Sequence, residues 1–161
     1  GSESERCKRF QAVVEASDIT CEIRSDIRKD IWVKLMGNVA YNPTSALTLA
    51  HTGAMTDDPR MEVLLRRLMT EVISIGAALG ADPGDKTDAR ISGTRERAAF
   101  HKTSMLQDLE RGRPMEIVPI VGAAAELARL AGVNTPTIDT VLALVQLRAT
   151  MTGQLPGAPA I

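Results

Sequence analysis

The chain has 161 residues, of which 44% are hydrophobic, 24% charged and only 2% aromatic, with a formal net charge of −1. One domain of this length can bury a real core, and so few rings leave that core to alanine, aliphatic residues and methionine, a palette that suits close-packed helices better than a sheet sandwich. The charge balance gives no basic footprint for nucleic acid, and no apolar run is long enough to span a bilayer, so neither is expected as a partner.

In chain order, Gly1-Ser2 reads as the scar of a cleaved tag, which would place the true start at an internal cut. ESERCKRFQAVVEAS has the pattern of an amphipathic helix, and ITCEIRS then alternates like a strand with Ile19, Cys21 and Ile23 on one face. One strand cannot form a sheet alone. Residues 1–25 are therefore expected to be the scar plus the trailing end of an upstream domain or linker. Cys7 and Cys21 lack metal-ligand spacing and any CxxC arrangement, which predicts reduced thiols, a cytoplasmic setting and no metal site.

From Asp26 a helix is predicted to run to Asn42, where Pro43 kinks or ends it. The next starts near Asp57 and Asp58 with Pro59 in its first turn. It carries Met61, Leu64, Leu65, Leu68, Val72 and Ile75 at helical spacing and stops at Gly80. After ADPGD comes a more polar helix through Arg95 to about His101. A short helix follows, with Thr103 or Ser104 as its cap and Gly112 at its end. Glu116 is expected to open another helix that tolerates Pro119 and runs to Gly132, and the last begins with Thr135 as cap and Pro136 at its first position. Residues 26–150 thus form the helical domain, and 151–161 are expected to be a flexible tail.

Chemistry concentrates in WVKLMGNVAYNP. A helix turns about 100° per residue, so Lys34, Asn38 and Asn42 fall at roughly 0°, 40° and 80°, one above another among mostly apolar neighbours. Two readings stand: Lys34 snorkels its stem over apolar surface while the asparagines meet solvent, or one cation and two amides line a cavity that holds a small polar ligand. A second stretch, KTSMLQDLERGRPMEI, offers Ser104 as a helix cap or ligand group, and Glu116 as a complement to a helix dipole or a functional carboxylate. His51 and His101 have no neighbours at metal spacing and read as structural or surface groups. No phosphate loop, HExxH or GxSxG is present.

The pieces together resemble a known family. Trp32, Lys34, Leu35, Asn38, Asn42 and Pro43, followed by the T-S-M-L-Q-D stretch and a Glu-Ile, look like the C-terminal helical domain of 2-dehydropantoate 2-reductases (ketopantoate reductases), from about Asp26 to Val145. The resemblance implies an all-α, compact multi-helix bundle, the C-terminal domain of a 6-phosphogluconate-dehydrogenase-like two-domain reductase. In such an enzyme an N-terminal Rossmann domain of the same chain binds NADPH and a small 2-oxo acid lies between the domains. It further implies Lys34 as proton donor, Asn38, Asn42 and Ser104 as substrate-binding residues, Glu116 at the cofactor's nicotinamide side, and a homodimer as a candidate assembly. Thr52, where an asparagine often precedes the glycine, and Val118, where an aspartate commonly follows Glu-Ile, depart from the family pattern and leave the identity of the 2-oxo acid open. The alternatives are a helical dimerisation module without turnover and the helical domain of another β-hydroxyacid dehydrogenase. This chain has no G-x-G-x-x-G after a strand with which to hold a dinucleotide.

Overall fold

A computed structural model describes residues 3–155. Among them all regular structure is helical, in the order α1 (Glu5–Glu15), α2 (Ile27–Thr48), α3 (Thr52–Asp57), α4 (Pro59–Ala78), α5 (Thr87–Arg97), α6 (Ser104–Glu110), a π-helical turn (Val118–Gly122), α7 (Ala123–Ala131) and α8 (Pro136–Met151). The all-α expectation holds. The strand expected over Ile19–Ile23 does not form: the segment is irregular, and its one anchor is the Cys21 carbonyl, which accepts from the Gln11 amide at 2.6 Å. Alternation without a neighbouring strand leaves the backbone groups no ladder to join. Gly1 and Ser2, read as a tag scar, lie outside the described residues.

The bundle is organised on α2, which is buried almost continuously from Met36 to Ala46 and packs on α4, α6 and α8. Met36, Val39 and Ala40 meet the α4 stripe of Leu65, Leu68, Met69, Val72 and Ile75 in the main core, where all eight are sealed from solvent. Burial of each of these side chains except that of Ala40 stabilises by about 1.5 to 3 kcal/mol. A smaller core beyond the end of α2 joins Ala46 to Met105, Met115, Ile117, Val145 and Ala149.

Pro43 does not end α2, and the helix expected to run to Asn42 continues past it. The helix runs to Thr48 and closes on Leu49, whose φ of 59° is left-handed and whose N–H donates to the Ser45 carbonyl at 2.8 Å. Proline removes one intrahelical donor and crowds the preceding turn. Here hydroxyls of the next two residues work on that turn: Thr44 Oγ1 donates to the Ala40 carbonyl at 2.6 Å, and Ser45 Oγ donates to the Asn42 carbonyl at 3.2 Å. Packing on three helices then holds the segment helical.

Other boundaries differ for similar reasons. The polar helix stops at Arg97 rather than near His101, because residues 98–101 are drawn onto α3, a short helix that the sequence pattern did not reveal. Glu116 stands before the helical residues instead of opening them. The π turn intervenes before α7, which ends as expected on Gly132 at φ 67°. Part of the stretch expected to be a flexible tail is pinned. Gln154 is buried, and its side-chain amide donates to the carbonyls of Asp108, Leu109 and Arg113 at 3.0, 3.2 and 2.8 Å. The remainder, 156–161, lies outside the described residues.

Two caps set the long helices. Asp58 accepts from the N–H groups of Arg60 and Met61, and the Arg60 guanidinium holds its carboxyl well below the usual carboxylate range. At α8, Thr135 makes no side-chain cap. Instead the Glu71 carboxylate of α4 accepts from the N–H groups of Thr137 and Ile138 at 2.9 and 2.8 Å. A negative group on two free N–H donors at a helix start is favoured by both hydrogen bonding and the dipole. Glu71→Ala should therefore lower the unfolding free energy by about 1 to 2 kcal/mol, with Glu71→Gln, which keeps one acceptor, in between. Urea denaturation measures both, and an unchanged midpoint for Glu71→Ala would show that α8 starts without this cap.

Candidate active site

The stripe of α2 opens on a cleft of about 280 Å³. Asn38 and Asn42 line it from α2, Thr52 from α3, Arg90 and Thr94 from α5, and Thr103, Ser104 and Gln107 from α6 and its approach, with Gly37, Tyr41, Ala98 and His101 completing the wall. Three of the residues singled out in the sequence, Asn38, Asn42 and Ser104, are thus brought together from two separate helices.

Their side chains are also free to act. Thr103, not Ser104, caps α6, accepting from the Leu106 N–H at 3.2 Å, and the Thr103 hydroxyl is further tied to Ser45 of α2. That leaves the Ser104 hydroxyl exposed to the cleft without an intramolecular partner among the described residues, and the same is true of the Asn38 and Asn42 amides. Thr52 is occupied differently. Its hydroxyl donates to the Ala98 carbonyl and contacts the His101 carbonyl at 3.2 Å, while its N–H donates to the latter at 3.0 Å. Beside it Gly53 N–H donates to Ala99 at 2.7 Å, and a Cβ on Gly53 would overlap that carbonyl. The threonine that departs from the family pattern therefore fastens the 98–101 segment to the cleft floor.

Lys34 lies one helical turn before Asn38, exposed and outside the residues that line the cleft. Glu116 is likewise exposed and outside the lining, as is Val118, the first residue of the π turn. The sequence missed several groups that do line it. Tyr41 is 4% exposed, its hydroxyl close to Thr94 but out of hydrogen-bonding geometry, and burial pushes its pKa up. Its place beside the stripe on the helical wheel was the available signal. His101, read as structural or surface, also reaches the cleft, whereas His51 is structural: it caps α3, and Nδ1 lies 2.7 Å from the Ala99 carbonyl. Nothing in the α5 pattern marked Arg90.

Residues 26–149 match the family model described as "Ketopantoate reductase PanE/ApbA C terminal". The chain belongs to the ketopantoate reductase family. It is 46% identical over 153 residues to the 2-dehydropantoate 2-reductase of Mesorhizobium japonicum, covering 95% of this chain and 47% of that one. Among solved structures, the 2-dehydropantoate 2-reductase of Methylococcus capsulatus superposes with a TM-score of 0.86 at 30% identity, over 97% of this chain and 54% of that one. A dimeric ketopantoate reductase of Staphylococcus aureus shares the fold, with a TM-score of 0.83 at 24% identity over 94% of this chain and 53% of that one. The chain spans about half the length of the curated relatives it matches.

Within this domain the described residues contain no strand and so no glycine-rich turn from strand to helix. No group of three or more metal-ligating side chains occurs among them either. What the cleft does offer is amides and hydroxyls that can hold a hydroxyl or carboxylate without competing for a proton, with the Arg90 guanidinium beside them.

The α5 wall of the cleft is held by charge. Glu62 of α4 meets Arg66 at 2.8 Å and Arg95 of α5 at 3.0 Å, and Arg66 reaches Asp88 of α5 at 2.6 Å. Arg66, then Arg95, hold the Glu62 carboxyl below the ordinary glutamate range. A depressed folded-state pKa stabilises above the unfolded value, and that stability is lost as pH falls through the folded one. The melting temperature of the wild-type chain should accordingly fall more steeply on acidification below the ordinary carboxylate range than that of Glu62→Gln. Parallel slopes in thermal melts across that range would exclude Glu62 from the linkage.

Proposed function

We propose that this domain is the substrate side of an NADPH-dependent 2-oxo acid reductase of the ketopantoate reductase type, reducing ketopantoate or a close relative to the 2-hydroxy acid, as in pantothenate biosynthesis. The observation that carries the reading is the convergence of Asn38, Asn42 and Ser104, all without internal partners, on one cleft, with Lys34 one turn along the same stripe. The hydride is assigned to NADPH, held mainly by an N-terminal Rossmann-type domain of the same chain, with Glu116 at its nicotinamide side. The absence of any buried residue in α1 supports assigning residues 1–25 to the edge of that domain, since an apolar face carrying Phe10 and Val13 at 65% and 69% exposure calls for a cover. The unpaired thiols Cys7 and Cys21 fit a cytoplasmic enzyme, and the dimeric neighbour of similar fold supports a homodimer.

In the reaction, Asn38, Asn42 and Ser104 orient the acid by hydrogen bonds. The Lys34 ammonium stands over the ketone oxygen, stabilises the alkoxide as charge develops and delivers the proton. In the full-length enzyme Lys34→Met should leave the melting temperature nearly unchanged, because the apolar stem is kept, while turnover falls by about 10²- to 10⁴-fold. Asn38→Ala should chiefly raise KM, by the equivalent of about 1 to 3 kcal/mol. Steady-state kinetics on 2-oxo acids measures both, and wild-type turnover by Lys34→Met would transfer the case to a dimerisation module.

The 161-residue chain by itself, given ketopantoate and NADPH, should show no loss of reduced-nicotinamide absorbance above background. Clear turnover would mean that the dinucleotide is held by this domain after all.

A further inference from the structure

The lining of the cleft contains a single permanent charge among the described residues, Arg90, and every other lining group is an amide, a hydroxyl, an imidazole or small. We infer that the Arg90 guanidinium is the anchor for the substrate carboxylate and sets the preference of this enzyme for 2-oxo acids. This rests on the reductase reading above and deepens it.

The geometry is specific. The guanidinium packs against Gly37: a Cβ there would stand 2.5, 2.6 and 2.8 Å from its Nη2, Nε and Cζ. The arginine thus occupies the space that any side chain at position 37 would claim, beside the stripe and level with Asn38. Among the described residues no carboxylate or carbonyl takes up its donors, although on the same helix Arg95 is committed to Glu62 and Asp57. A guanidinium at the cleft wall with no internal acceptor among the described residues is suited to a carboxylate, which such a fork can bind through two parallel hydrogen bonds.

The arrangement suits a 2-oxo acid. Positions 34 and 37 are neighbours on a helix face, about 5 to 6 Å apart at Cβ, so Lys34, although outside the residues that line the cleft, rises from the same helix one turn before the glycine against which Arg90 packs. A 2-oxo acid presents its carboxylate and its ketone oxygen on adjacent carbons. Arg90 takes the first and leaves the second to Lys34, with the stripe asparagines and Ser104 on the rest of the molecule.

The test is steady-state kinetics of the full-length enzyme with NADPH and a panel of 2-oxo acids that includes ketopantoate, comparing wild type with Arg90→Gln and Arg90→Lys. Losing a hydrogen bond to a charged group corresponds to about a 10- to 100-fold rise in KM. That rise is expected for Arg90→Gln with kcat changed far less, and a partial rise for Arg90→Lys, which keeps the charge and loses the fork. Arg90 is exposed, so thermal melts of both variants should match wild type. A KM within twofold of wild type for Arg90→Gln, or a loss confined to kcat, overturns the carboxylate role while leaving the reductase reading intact. Absence of wild-type turnover on every 2-oxo acid overturns the reductase reading itself, and this inference with it.

Discussion

Everything in the cleft depends on α2 being buried without being sealed. A helix covered by neighbours on three sides must satisfy its polar atoms internally or leave them a reason to stay open. Both solutions occur within two turns. Thr44 and Ser45 spend their hydroxyls on the Ala40 and Asn42 carbonyls, so the turn around Pro43 closes on itself and packs. Asn38 and Asn42 make no such bonds, and Asn42, at 7% exposure, keeps its amide on the cleft side. Desolvating an amide without a partner is unfavourable by about 1 to 3 kcal/mol, so leaving two open on one stripe is consistent with a ligand that completes them.

The helical character of the chain and the core-facing residues of α2 and α4 were legible because they rest on local rules. Apolar spacing near 3.6 residues, Asp58 before Pro59, Thr103 before a hydrophobic turn and Gly132 after one each act within a few positions. The stripe was legible for the same reason, since Lys34, Asn38 and Asn42 share a helix. Bringing Ser104 beside them was suggested by family resemblance and is realised by α6 packing on α2.

What was not legible is nonlocal. Pro43 sits in mid-helix because tertiary packing outweighs its propensity, and the Ile19–Ile23 alternation yields no strand because pairing needs a second segment. The cap of α8 comes from Glu71, about 66 residues away in the chain, so no pattern around Thr135 could announce it. The same holds for α5. Its composition reads as a solvated helix, and its packing on α3 together with the ion pairs through Glu62 and Arg66 sets Arg90 and Thr94 at the cleft wall. Thr52 shows how a departure from a family pattern can be reinterpreted by its partners: with its hydroxyl on the Ala98 and His101 carbonyls, it holds a wall and is not a free donor to the ligand.

In the proposed reaction, lysine and arginine are suited to different halves of one task. A proton donor must be able to give its proton up and take another, which a lysine ammonium can do and a guanidinium in practice cannot. An anchor must keep its charge through the whole cycle, while the ketone oxygen beside it gathers negative charge and then loses it. A lysine on a flexible stem at the open end of the stripe can follow that oxygen. An arginine packed against Gly37 would, in the proposed reaction, keep its charge on the carboxylate as the neighbouring carbon changes from trigonal to tetrahedral. Exchanging the two would place a cation that cannot give up its proton at the ketone, and a compact ammonium without the guanidinium's fork at the carboxylate.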